Sequence, residues 1–356
     1  MRRNNIRKTE ALIMAFALSA SLLLTGCGNS TGSKNTASNN ASIVSSSNSV
    51  DNNNGSSGNQ NTNGDSVNEN NSTTDEAGIN HDYPVMLFSY DKNDTNYEEP
   101  EAFNSEHLGG NYGEIEKIEY YSPTTNATRN ANVYLPYGYD KSKSYPVVYL
   151  LHGMSGTYED YRVLGARPTA QNIVYEYNRN DMILVSFTVF TDVDGKQESD
   201  YGFSDLTARY DACENDVINA LIPYINSHYS TKIGREYTGI AGYSLGGREA
   251  LYLCFAHPDI FGYVGAFEPV GGVVNTGSGE TLYGNRGYLL PELVKESGKA
   301  PLLVTGDEDP YCRVSSENYS RYMTEHSIDH IFYYRHGGHE AGVWNNGLYN
   351  FLRRIF

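Results

Sequence analysis

Cysteine is scarce in this chain, with four in 356 residues. Cys27 closes an N-terminal apolar stretch, which leaves Cys213, Cys254 and Cys312 for everything downstream. An odd number of thiols cannot form a complete disulfide framework, so stability has to come from a packed core. Their spacing fits no metal-binding pattern, and neither a metal nor an organic cofactor is expected. Positive charge is the second shortage. Lysine and arginine number 26 against 43 aspartates and glutamates, a formal charge of −17, and that balance argues against nucleic acid as a partner. Long hydrophobic runs are missing too, since the longest, Ala11 to Leu24, is too short for a comfortable membrane span. Aromatic residues are absent from Gly28 to Asn80, where Asn, Ser, Gly and Thr prevail. Such a segment cannot bury enough apolar surface to offset the entropy of ordering it.

What is present divides the chain in three. Arg2, Arg3, Arg7 and Lys8 precede the apolar stretch as a positive n-region, as in an export signal. The stretch ends in Leu24-Thr25-Gly26-Cys27, which resembles the lipobox of bacterial lipoproteins. Residues 1–27 are therefore expected to be a lipoprotein signal peptide with Cys27 as the lipidated residue, and residues 28–80 a disordered Asn/Ser/Gly-rich linker. At about 5–6 Å × √n, such a linker has a typical reach of about 40 Å. Residues 81–356 carry the aromatic and β-branched content and are expected to form one folded domain. The expected location is the outer face of the bacterial cell membrane, with lipid on Cys27 as the attachment.

The folded portion is organised around Gly242-Tyr243-Ser244-Leu245-Gly246, which follows the apolar run Thr238 to Ala241. In Gly-x-Ser-x-Gly a tight strand-to-helix turn lifts the serine hydroxyl out of the sheet and leaves no room for side chains two residues to either side. Ser244 is the candidate nucleophile, and the Leu245 amide, at a helix N-terminus, is a candidate oxyanion donor. Tyr145 to Leu151 reads as a strand buried on both faces and ends in His152-Gly153-Met154, which makes the Met154 amide the second candidate donor. His152, directly after that strand, reads as a structural histidine.

Further strands are expected at Gly113 to Tyr121, Ala131 to Leu135, Asp181 to Phe187, Phe261 to Phe267, Ala300 to Thr305 and His330 to Tyr334. Helices are expected at Asp211 to Tyr229, Gly246 to Ala256, Ser315 to Ser327 and Val343 to Phe356. This alternation points to a mostly parallel sheet with helices on both faces. Asp192, Asp194 and Asp200 lie in a polar loop without the glycine-centred pattern of a calcium site. Gly306-Asp307-Glu308-Asp309 places carboxylates at a strand's C-terminal end, and Gly337-Gly338-His339-Glu340 follows the last strand. Serine, acid and histidine in that chain order form a hydrolase triad of Ser244, His339 and one of Asp307, Glu308 or Asp309, which spacing alone does not separate.

These motifs together, with Tyr134-Leu135-Pro136, Leu150-Leu151-His152-Gly153 and Val343-Trp344, resemble the family 1 carbohydrate esterases. These are the feruloyl and acetylxylan esterases within the wider esterase D superfamily. The resemblance runs from about Asn111 to Phe356 and implies an α/β-hydrolase three-layer sandwich. It implies Ser244, Asp309 and His339 as the triad, with the Met154 and Leu245 amides as oxyanion hole. Glu340 departs from the Asp that close relatives tend to carry. The implied activity is a serine esterase that removes feruloyl or acetyl groups from xylan through an acyl-enzyme. Tyr243 and Trp344 are candidates for lining the substrate. The rivals are another hydrolase of the superfamily, an acyltransferase, and a non-catalytic polysaccharide-binding module that kept the fold. For the anchor, Cys27→Ser is expected to release the protein from membranes without loss of specific activity, and metabolic labelling with a fatty acid is expected to mark the wild type only.

Overall fold

The third strand of the sheet, Val147–Leu151, is buried at all five positions, and its successive side chains enter opposite cores. Val147, Tyr149 and Leu151 join one cluster, whereas Val148 and Leu150 join the other. That alternation is what a strand covered on both faces requires. The computed structural model describes residues 94–192, 195–279, 288, 289, 294 and 301–356. The expected signal peptide with Cys27, the linker, residues 81–93 and Asp194 lie outside them.

Eight strands form one sheet in the order β1-β2-β4-β3-β5-β6-β7-β8. They are β1 (Ile115–Ser122), β2 (Ala127–Tyr134), β3 (Val147–Leu151), β4 (Ile183–Phe187), β5 (Thr238–Tyr243), β6 (Tyr263–Phe267), β7 (Leu302–Gly306) and β8 (Ile331–Arg335). β1 and β2 are an antiparallel hairpin, and β2 meets β4 antiparallel. All remaining pairs are parallel. The expected three-layer α/β sandwich is therefore the fold, with each predicted strand present to within a few residues.

Among the described residues the complete helices are α1 (Asp160–Val163), α2 (Ala166–Tyr177), α3 (Phe203–Asp211), α4 (Cys213–Asp216), α5 (Ile222–His228), α6 (Leu245–Ala256), α7 (Arg313–Glu325) and α8 (Ala341–Leu352). Leu206, Tyr210, Val217, Ile225, Leu251 and Met323 cover one face of the sheet. Ala170, Ile173, Leu348 and Phe351 cover the other.

Two helical regions differ from expectation. The single helix expected over Asp211 to Tyr229 is a longer, broken run: α3 begins at Phe203, and a π-helical segment, Val217–Leu221, separates α4 from α5. Helix α2 was not anticipated at all, because Thr169, Gln171 and Asn172 interrupt the apolar pattern of its buried face. Asn172 reaches the carbonyls of Phe103 and Ser105 at 2.8 and 3.0 Å, and Gln171 accepts the Tyr137 amide at 2.9 Å. Hydrogen-bonded polar groups can take core positions that apolar periodicity would otherwise mark.

A strap at 94–97 lies along α8 in the same manner. The Asn346 and Asn350 side chains each donate to the Tyr97 carbonyl at 2.8 Å. Arg353 pairs with Asp94 at 2.7 Å, and the Tyr97 ring stacks on Tyr333 with centroids 4.1 Å apart.

Behind the turn that follows β5, Arg248 is fully buried. Its guanidinium bonds the Asp211 carboxylate, lies 3.1 Å from Glu249 and donates to the Gly271 carbonyl at 3.1 Å. One side chain thus ties α6 to α3 and to the loop after β6. Removing one member of a buried ion pair leaves the other uncompensated. Arg248→Met is expected to cost about 3–5 kcal/mol, read as a lower urea midpoint with unchanged m-value.

Candidate active site

The C-terminal ends of the parallel strands form the crevice where open α/β sheets place their sites. Ser244 follows β5 directly and holds φ 56°, ψ −122°, in the left-handed region that a residue with a Cβ rarely adopts. Backbone crowding enforces this turn. A Cβ on Gly242 would stand 2.2 Å from the Gly246 carbonyl oxygen, and one on Gly246 would stand 2.2 Å from the Leu151 oxygen. Both glycines are therefore required by space. The Ser244 carbonyl accepts from the amides of Gly247, Arg248 and Val270, which locks the turn to α6 and to the loop after β6.

Leu245 is the first residue of α6, where the amide has no partner within its own helix. Among the described residues, neither the Leu245 nor the Met154 amide donates to a protein acceptor. The loop carrying Met154 is pinned from three sides. Tyr210 places its hydroxyl 3.0 Å from the Gly153 carbonyl and 2.7 Å from Glu198, and Glu198 accepts the Ser155 amide at 2.7 Å. His152 is buried, with Nδ1 at 2.7 Å from the Gly153 carbonyl and Nε2 accepting the Val189 amide at 2.8 Å. Both ring nitrogens are engaged, as a structural histidine requires. Burial pushes the Glu198 carboxyl above its ordinary range, against the hydrogen bonds from Tyr210 and Ser155.

His339 lies in the loop between β8 and α8 with its side chain 9% exposed, and its Nδ1 is 3.0 Å from Asp309 Oδ2. Asp309 is buried, and its other oxygen accepts the amides of Tyr311 and Cys312 at 2.7 and 3.1 Å. Burial favours its neutral form, but the His339 bond and these amides outweigh that and hold the carboxyl below its ordinary range. The neighbouring acids face elsewhere. Asp307 accepts the Gly337 amide at 3.0 Å and meets His336 at 3.3 Å near the surface, and Glu308 is exposed.

Sequence patterns did not mark a second carboxylate on the same ring nitrogen. Glu268, directly after β6, is fully buried and lies 3.2 Å from His339 Nδ1. The available signal was its place, a charged residue at the crevice end of an apolar strand. Burial of the His339 ring favours its neutral form, but bonds to Asp309 and Glu268 and their charges push its pKa up to about 9.

Cys312 completes the cluster. Donor atoms of Asp309, Cys312 and His339 lie within 4.8 Å of one another. The turn at Ser244 is tied to the same end of the sheet, because its amide donates to the carbonyl of Phe267 and the next residue, Glu268, lies 3.2 Å from His339 Nδ1. Burial, together with the charges of Asp309 and Glu268, drives the Cys312 thiol far above its ordinary range.

Trp344, a candidate for lining the substrate, lies edge-on to His339 with ring centroids 5.5 Å apart at 79°. It stacks on Tyr243 at 4.0 Å. Tyr243 is itself buried, and its hydroxyl donates to Asp160 at 2.6 Å. The more accessible aromatic is Tyr311, 40% exposed and edge-on to His339 at 5.7 Å. No motif singled it out.

An eight-stranded mostly parallel sheet with a strained serine after β5 and a histidine–carboxylate pair after β7 and β8 defines an α/β hydrolase. The family pattern described as "Putative esterase" matches residues 122–355, and the chain belongs to that family. Among solved structures, a family 1 ferulic acid esterase from Anaeromyces mucronatus, determined with ferulic acid, is 30% identical with a TM-score of 0.64; the match covers 73% of this chain and 97% of that one. An endo-1,4-beta-xylanase/feruloyl esterase of Xylanibacter ruminicola is 31% identical over 163 residues, covering 44% of this chain and 21% of that protein. Endo-1,4-beta-xylanase Y of Acetivibrio thermocellus is 28% identical over 187 residues, covering 49% and 15%. The chain thus spans only a minor part of the length of these two longer relatives. The chain is a family 1, esterase D-type α/β hydrolase related to feruloyl esterases.

The charge on His339 links stability to pH. A group whose pKa is raised on folding binds more protons folded than unfolded, so its contribution is complete below the unfolded value and is lost as pH rises through the folded one. Unfolding free energy from urea titrations is expected to fall between about pH 6.5 and about pH 9. His339→Gln is expected to flatten that slope.

Proposed function

We propose that this protein is a serine carboxylic-ester hydrolase that removes feruloyl groups, or acetyl groups, from plant cell-wall xylan through an acyl-enzyme. The observation that carries the reading is the His339–Asp309 bond of 3.0 Å beside a serine held in a strained turn. In the proposed reaction Ser244 Oγ attacks the ester carbonyl while His339 Nε2 takes its proton. Asp309 holds the Nδ1–H tautomer and stabilises the imidazolium. The Met154 and Leu245 amides stabilise the tetrahedral oxyanion. His339 returns the proton to the leaving sugar hydroxyl, and a water activated by the same ring then releases the acid and restores Ser244.

Feruloyl is favoured over acetyl. The relative with 30% identity is a ferulic acid esterase, and the exposed ring of Tyr311 offers a hydroxycinnamoyl group an aromatic wall that an acetyl group does not need. We further propose export and lipid attachment through Cys27, which rest on the leader sequence alone.

Ser244→Ala is expected to keep the fold and lower turnover by several powers of ten. Asp309→Asn is expected to cost on the order of 10⁴-fold in kcat, and Asp307→Asn or Glu308→Gln far less. Methyl ferulate and feruloylated arabinoxylan fragments are expected to be hydrolysed faster than acetylated xylan. Ready deacetylation with ferulate esters left at background would reassign the acyl group to acetyl.

A further inference from the structure

We propose that Glu268 is a second carboxylate of the catalytic apparatus, a positioning residue that shares His339 Nδ1 with Asp309 and fixes the plane of the ring through Trp344. This rests on the reading of His339 as the general base. Two N–H groups donate to the one carboxylate, and the His339 ring nitrogen that faces Asp309 lies beside it. Oε1 accepts the Gly306 amide at 2.9 Å, and Oε2 accepts Trp344 Nε1 at 2.7 Å and lies 3.2 Å from His339 Nδ1. Convergent donors are the surroundings of an anion, and they are assembled at a residue without solvent exposure.

Two costs show that the position is specified. A fully buried carboxylate gives up its hydration, and burial indeed pushes Glu268 above its ordinary range against its His339 and Gly306 partners. Its backbone is also left-handed, at φ 51°. For a residue with a Cβ such a conformation is strained, and it persists where the surroundings over-determine it. Glu268 is thus a strained residue at the end of β6 beside the strained Ser244 at the end of β5. The two turns are bonded to each other, since the Ser244 amide donates to Phe267 and the Val270 amide to Ser244.

The groups around the His339 ring are Asp309 from the loop after β7, Glu268 from the end of β6, the Cys312 thiol at the start of α7, and the rings of Tyr311 and Trp344. Asp309 and Glu268 carry the opposing charge. Asp309 restrains the ring from one side. Glu268, itself held by the edge of Trp344, supplies a second direction. The tryptophan in turn stacks on Tyr243, so the base is referred back to the residue before the nucleophile.

The test is a titration of His339 by NMR on ring-labelled protein in the Ser244→Ala background, together with kcat/KM profiles in the active background. Glu268→Gln is expected to lower the His339 pKa and to move the acid limb of kcat/KM to lower pH. It is also expected to reduce kcat at the optimum by about tenfold or more with little change in KM, part of the roughly 10²–10⁴ that general acid–base catalysis contributes. Glu268→Asp, with the charge withdrawn by one methylene, is expected to fall between wild type and Glu268→Gln. Adding Glu268→Gln to Asp309→Asn is expected to lower kcat further than Asp309→Asn alone. A folded Glu268→Gln protein with unchanged His339 titration and acid limb overturns the proposal, even if its stability is reduced. If Glu268→Gln does not fold, an unchanged titration in Glu268→Asp overturns it instead. Undiminished turnover by Ser244→Ala would refute the esterase reading, whereas the titration tests Glu268 independently of turnover.

Discussion

The site depends on how closely three stretches of backbone approach one another. Gly242 and Gly246 bring the end of β5 against the start of α6 and against the Leu151 carbonyl at the end of β3, with no space for even a methyl group at either glycine. Because the chain cannot relax there, Ser244 is held in a conformation it would not choose, and the Leu245 amide is presented at a helix N-terminus. Elements further out serve to keep this crossing rigid. Arg248 anchors the first turn of α6 from behind, and the Tyr210–Glu198 pair steadies the facing loop at Gly153 and Ser155.

The charges around this crossing are arranged unequally. Asp309 takes two amides and the histidine and is held in its charged form. Glu268, closed off from water, is driven the other way by burial. Two carboxylates on one imidazole nitrogen leave the cluster with an excess of negative charge when both are ionised. The neutral Cys312 thiol is consistent with that excess, because a further negative group there would be repelled. Electrostatics therefore favours a charged His339, and a base that must act as neutral imidazole has to give up its proton first.

The strands and the elbow were legible because their signals are local. β3 and β4 are unbroken apolar runs, and the turn at Ser244 needs glycines at fixed spacing. Ser244 and His339 followed from motif and chain order, and the structure brings Asp309 rather than Asp307 or Glu308 to His339. What escaped detection rests on pairing between distant segments. Helix α2 buries Asn172 and Gln171 against residues 34 to 69 positions away, which interrupts the apolar pattern of its inner face. Glu268 meets His339 across 71 positions of sequence, and its neighbours Phe267 and Pro269 give no hint of a partner. Tyr311 is an ordinary tyrosine until the fold sets it beside the histidine.

The strap at 94–97 has a mechanical consequence. It is joined to α8 and the residue after it by side-chain amides from Asn346 and Asn350 and by Arg353 on Asp94, and to β8 by the stack of Tyr97 on Tyr333. Tension entering the described fold through its N-terminal end would load these bonds before it reached the hairpin of β1 and β2. Several bonds along one helix share such a load, whereas a strand end would release its ladder bonds one after another. Such a load would therefore be divided between α8 and β8, at opposite ends of the loop that carries His339.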